Sequence, residues 1–287
     1  MFKKVLYIFS YLFYICFLLV FFAHVLFPEK KGAAFISDIL KKQYQINFYA
    51  DSFKPVFPFN FEIKNMEISS LKVKNIEFEE VKINISILSL VMGNLKFKIN
   101  ANGFGGTINS DIKLSLLNYM EKFNIDAQFE NIDLNKTSTI FDSDFILSGI
   151  AGGRVKLDFA SKKGNYSSMI NLKNFDIVSK FIIVPVSVFD INNANIHGKI
   201  EGNNLFFEDS TIRSKAGFSN FNGKVQMNKR FERSIADING KLVPDTESIL
   251  KNKSNPSMAM LIPILQNKKN IEFTIKGSVS NPAVRFK

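Results

Sequence analysis

Asp142 and Asp144, within Phe141-Asp142-Ser143-Asp144, have the Asp-x-Asp spacing that can put two carboxylates on one divalent cation. No further acids follow at the spacing of a binding loop, and Asp or Ser ahead of Phe145-Ile146-Leu147 is ordinary turn chemistry. Gly103-Phe104-Gly105-Gly106 has the glycine density of a phosphate-cradling loop. It lacks a following Gly-Lys-Ser/Thr and a helix start, so it reads as glycines at a bulge or hairpin. Glu79 and Glu80 could act as paired carboxylates, yet neighbours on a strand point to opposite faces, and a turn or register shift before Val81 is the simpler reading. His197, beside Gly198, has no Ser-His-Asp pattern around it and reads as a surface strand histidine. Cys16 is the single cysteine, and His24 and His197 are far apart, so neither a disulfide nor a Cys/His metal cluster has the material it needs. We assign no catalytic, cofactor-binding or metal-ligating residue, expect no cofactor, and read the chain as non-enzymatic.

The elements that position these residues begin with Val5 to Phe27, a run with no acid, lysine or arginine. As a helix it would span roughly 35 Å, enough for a hydrocarbon core about 30 Å thick. Tyr7, Tyr11 and Tyr14 suit the interface, and Lys3 and Lys4 ahead of the run favour a cytoplasmic N-terminus. Lys30 and Lys31 after it make the charge contrast modest. A cleaved signal peptide is the rival reading, against which stand the length of the run and bulky Val25, Leu26 and Phe27 at its end. An uncleaved anchor puts everything from Pro28 onward on the far side of the membrane from the N-terminus.

Residues 1–27 thus read as a cytoplasmic tip and anchor, and 28–58 as a juxtamembrane helix and Pro-containing linker. In the latter, Gly32 to Tyr44 sets Phe35, Ile36, Ile39 and Leu40 at helical spacing, either to rest on headgroups or to cap the next domain. Pro55 and Pro58 then keep the backbone extended. From Phe59 the period becomes two, as at Leu71 to Lys74, Val81 to Ile87 and Leu95 to Ile99. Further strands read at Ile112 to Leu116, Ile125 to Phe129, Val155 to Phe159, Ile170 to Leu172, Val225 to Met227 and Ile271 to Ile275. Turn chemistry divides them at Met92-Gly93-Asn94, Asn102-Gly103, Lys163-Gly164-Asn165, Gly202-Asn203-Asn204 and Asn222-Gly223. One-sided strands with short turns predict an antiparallel meander over 59–287, with a possible division into two sub-repeats near 145.

A glycine, a polar residue and an aliphatic one recur at unequal intervals, at Gly106, Gly153, Gly198, Gly223, Gly240 and Gly277, so the pattern is not a regular solenoid. Helical signal is scarce beyond the anchor; the clearest case is Thr246 to Leu265, divided by Pro256 and Pro263. The apolar face of the sheet therefore lacks helices to cover it. It must pack on another sheet, curl on itself, or hold something apolar such as an acyl chain.

Charge adds little to this. The net charge is +11, but arginine is limited to Arg154, Arg213, Arg230, Arg233 and Arg285, lysine is interleaved with acids, and Trp is absent. Nucleic-acid readers cluster their cations with stacking aromatics, so no nucleic-acid partner is expected. The composition, 46% hydrophobic and 22% charged, excludes a disordered tail as the main content.

The stretches NANGFGGTINSDIKLSL, GGRVKLDF and FNGKVQMN, and the ending IEFTIKGSVSNPAVRFK, resemble the type II secretion system protein N family. The ending also resembles the broader AsmA-like group. The first resemblance implies an inner-membrane protein whose periplasmic part accompanies other components of the secretion apparatus. The second implies a curled, apolar-lined β structure, groove or sandwich, linked to lipid binding or transfer, with phospholipid as a partner, or to outer-membrane biogenesis. Neither implies catalytic residues. The leading expectation is the secretion component, and the alternative is the lipid-binding groove.

Overall fold

A computed structural model describes residues 18, 22, 28–57, 59–70, 75–115, 122–138, 145–161, 163–179, 191–215, 217–228, 233–251, 270–279 and 281–286. The run Val5 to Phe27 lies outside them except for Leu18 and Phe22, both helical. Among the described residues no helix is long and apolar enough to cross a membrane. Asp142, Asp144, the strand pattern Leu71 to Lys74 and most of the Thr246 to Leu265 stretch also fall outside; Thr246–Lys251 is helical.

The fold is mainly β. It holds one antiparallel sheet of fourteen strands in strict sequence order, β1 to β14. In order these are β1 (Ile46–Val56), β2 (Asn60–Ser70), β3 (Ile76–Ile85), β4 (Asn94–Gly103), β5 (Gly106–Ser115), β6 (Lys122–Asp133) and β7 (Phe145–Ala160). There follow β8 (Lys163–Ser179), β9 (Ile191–Glu201), β10 (Asn204–Ser214), β11 (Gly217–Gln226), β12 (Ile235–Pro244), β13 (Ile271–Ser278) and β14 (Asn281–Phe286). Beyond Leu18 and Phe22, four helices accompany them among the described residues: α1 (Glu29–Tyr44), α2 (Ile87–Val91), α3 (Leu134–Ser138) and α4 (Thr246–Lys251).

Helix α1 starts after Pro28 and stops at Gln45, whose left-handed φ of 57° reverses the chain into β1. It lies along β1. Ala33, Ile36 and Leu40, one helical stripe, pack on Phe48, Phe53, Ile63, Met66, Val81 and Ala101, the best-buried apolar cluster of the sheet. The helix thus caps the first strands, while Phe35 and Ile39 beside that stripe stay exposed.

The strand pattern begins earlier than Phe59. β1 occupies Ile46–Val56, inside the stretch read as linker, and Pro55 is tolerated there because β1 is the edge strand. The alternation is hidden because the β1–β2 register skips Asp51 and Asn65, so the inward residues step by three, from Ala50 to Phe53 and from Ile63 to Met66. Near 145 the sheet is continuous: β6 and β7 pair from Lys122–Ala160 to Asp133–Ile150.

Met92-Gly93-Asn94 and Gly202-Asn203-Asn204 fall at turns and Asn102-Gly103 directly precedes one, but Asn222-Gly223 does not turn. Both residues lie within β11, where Gly223 pairs with Phe207 on one side and Ile238 on the other. The bend there belongs to β10, whose register shifts between Phe207 and Ser210. Lys163 and Gly164 likewise open β8 and pair with Ala160 and Phe159.

Candidate functional site

The one-sided strands place their apolar residues in rows that cross the whole sheet. In one row Phe53, Ile63, Val81, Ala101, Ile108 and Phe129 are successive cross-strand partners from β1 to β6. It continues through Gly153, Ile170, Ala194 and Ile212 on β7 to β10. Ser219, Leu242 and Ile271 carry it to β13. Thirteen strands therefore contribute to this row, and Ser219 is its only polar member.

A second row on the same face runs Ile85, Phe97, Ile112, Ile125, Leu157 and Tyr166 from β3 to β8. Gly198, Phe207, Gly223, Ile238, Ile275 and Val284 extend it to β14. Strands lie about 4.8 Å apart, so the first row is roughly 55–60 Å long.

Among the described residues this lane is covered at its start and open afterwards. Among the described residues, α1 shields the β1–β4 cluster. Beyond it half of the buried apolar residues are alanines, Ala151, Ala194 and Ala236, beside Ile132, Val225 and Ile271. The larger Ile108, Phe129, Ile170, Ile212 and Leu242 keep partial solvent access. The opposite face is polar and self-paired. Arg154 donates Nε and Nη2 to the two Asp126 carboxylate oxygens at 2.6 Å each, and Lys199 meets Glu208 at 2.8 Å.

The glycines of the recurring pattern have a physical role in the lane. Gly198 pairs with Tyr166 and Gly240 with Phe273, and in each case the partner's ring lies over the glycine. Phe159 over Gly164 and Phe78 over Gly103 repeat the arrangement. A bare Cα leaves room for the ring to lie flat across the strand, which widens the apolar surface without adding height. The Tyr166 hydroxyl donates to the Phe206 carbonyl at 2.8 Å, and burial, with the Glu208 charge nearby, pushes its pKa up to about 12.

The sequence motifs with possible chemistry resolve as structure where they are described. Phe104 (φ 55°) and Gly105 (φ 76°) are both left-handed and form the two-residue β4–β5 turn. The register shift expected before Val81 lies between Phe78 and Glu80, and Glu80 faces Lys82 at 3.1 Å. His197 is an exposed residue of β9 whose N–H donates to Ser210 Oγ at 3.2 Å. Among the described residues no group of His, Cys, Asp and Glu is placed to hold a metal ion. A recess on the polar side of β1–β4 gathers Asp51, Glu67, Glu77 and Glu79. There Asn65 and, more weakly, Tyr49 donate to Asp51 and hold its carboxyl below the usual range.

Fold and site together define a class: an open antiparallel meander with one continuous apolar face. No protein-family model, curated protein or solved structure matches the chain.

Proposed function

We propose that the protein is a non-enzymatic lipid-binding protein that holds phospholipid acyl chains along the apolar lane. The observation that carries this is the row from Phe53 to Ile271, continuous over thirteen strands and uncharged throughout. An acyl chain spans about half of a ~30 Å hydrocarbon core, so the lane has room for roughly three or four end to end. Each methylene taken from water contributes up to about 0.8 kcal/mol. The sheet reads as a curled, AsmA-like groove with the lane inside, set in the periplasm and tethered to the inner membrane by Val5 to Phe27.

The test uses the full chain with a photo-reactive phenylalanine analogue at Ile238, in the lane, or at its neighbour Asn239, on the polar face. Irradiation in cells should attach phospholipid at position 238 and little at 239, as read by mass spectrometry. Equal labelling at both, or none at either, overturns the reading.

Association with type II secretion components keeps the support that the glycine and strand patterns lend it. The open lane adds to the lipid reading alone. Crosslinking followed by co-purification should recover inner-membrane secretion components if that association holds.

A further inference from the structure

In an antiparallel meander the connections β1–β2, β3–β4 and β9–β10 all lie at one end of the strands. Their chemistry differs sharply. The β1–β2 tip exposes Val56, Phe57 and Phe59, and the adjacent β3–β4 connection exposes Ile87, Leu88, Leu90 and Met92 on and after α2. Leu88 is 67% exposed and Met92 66%, far more than connections carrying ordinary scattered apolar residues need. The β9–β10 tip at the same end is Gly202-Asn203.

Three features of the chain bear on what covers these tips. First, α1 lies along β1 and is joined to it by Gln45 alone, so it runs antiparallel to β1 and carries its first turn towards the Val56 end. The apolar run Val5 to Phe27 immediately precedes that turn. Second, α1 leaves Phe35 and Ile39 exposed one turn apart, with Lys31 and Lys42 exposed beside them, a stripe suited to a headgroup boundary. Third, sheet twist of about 20–25° per strand turns the β9–β10 tip roughly 120° or more away from β3–β4. The β1–β2 and β3–β4 tips, about 40–50° apart by the same measure, can meet one plane together, and both are apolar.

We infer that the β1–β2 and β3–β4 tips dock the start of the sheet, end on, into the surface of a phospholipid bilayer. Leu88 and Met92 reach the acyl boundary, and the first strands of the sheet stand at the bilayer. The inference goes beyond acyl-chain binding in the lane and does not require it, because these side chains lie on connections outside the rows.

Since the chain has no Trp, a single one introduced at a tip reports alone. The full chain carrying Leu88→Trp, Met92→Trp or Asn203→Trp is reconstituted with vesicles of zwitterionic and anionic phospholipid brominated high on the acyl chains. Fluorescence at positions 88 and 92 should be blue-shifted and quenched several-fold more than at 203. Absence of quenching at 88 and 92 overturns the inference, and so does equal quenching at all three, which means the sheet lies flat. Leu88→Asp combined with Met92→Asp, read with Trp at Phe59→Trp, should reduce quenching several-fold; unchanged quenching overturns it independently. Loss of lipid labelling at Ile238 with quenching intact removes the lane reading and leaves this one.

Discussion

The ring of Tyr166 lies across Gly198 on the neighbouring strand. A Cβ at 198 would come within 2.6 Å of the phenolic oxygen and closer still to the Phe206 carbonyl that this hydroxyl bonds. Gly198→Ala therefore cannot be relieved by side-chain rotation alone. Overpacking of this kind costs about 1–3 kcal/mol. Denaturant unfolding of the full chain should show that loss, and Tyr166→Ala in the same background should recover part of it.

The same phenol predicts a pH dependence. Its pKa is raised to about 12 by burial, with Glu208 adding to the rise. A raised pKa means the folded state holds the proton more tightly than the unfolded chain. The stabilisation is complete below about 10, the ordinary tyrosine value, and is lost as pH climbs through 12. Tyrosinate absorbance should show a late-ionising component near pH 12 that is missing in Tyr166→Phe.

At the acid end the relevant pair is Asp126 and Arg154. The Arg154 fork holds the Asp126 carboxyl below its usual range, with Lys156 adding a weaker attraction. A depressed carboxylate stabilises the fold above its unfolded pKa, and that contribution disappears as pH falls through the folded value. The pair is open to solvent on the polar face, so the effect should be at most about 1 kcal/mol. Asp126→Asn should flatten the acid limb of stability against pH by that amount and leave neutral-pH lipid labelling at Ile238 unchanged.

The meander was legible in the sequence because alternation survives across most strands: Phe97 and Ile99 against Lys96 and Lys98 need no structure to interpret. Where it failed, the cause is local. A bulge inserts one residue, so inward positions step by three, as from Phe129 to Ile132 around Asn131 and from Phe207 to Ser210 around Asp209. Read without the bulge, such a step sends half the strand to the wrong face. The bulge restores the lane, and its left-handed Asn or Asp is the one local sign of it. The lane itself was foreseen only as an uncovered apolar face. Its continuity depends on registers between strands up to fourteen in number, which no single strand's pattern contains. The apolar tips were invisible for a related reason: Ile87 read as the end of a strand, whereas it opens a short helix, Ile87–Val91, that Ser86 caps by accepting the Ser89 N–H.

Stability and lipid holding should separate along the sheet, because burial and lane membership do. Ile63 is 3% exposed and sits in the cluster under α1. Truncating such a side chain costs about 2–5 kcal/mol, so Ile63→Ala should unfold the chain at markedly lower denaturant. Ile238, a lane residue with partial solvent access, has less packing to lose. Ile238→Asp leaves a charge where acyl chains would lie and can turn part of it to water. It should lower the phospholipid that co-purifies with the full chain several-fold, while shifting the unfolding midpoint less than Ile63→Ala does. The neighbour Asn239→Asp puts the same charge on the polar face and should change neither quantity. Equal lipid content in all three variants, with the sheet intact by circular dichroism, would mean that the lane is not where lipid is held.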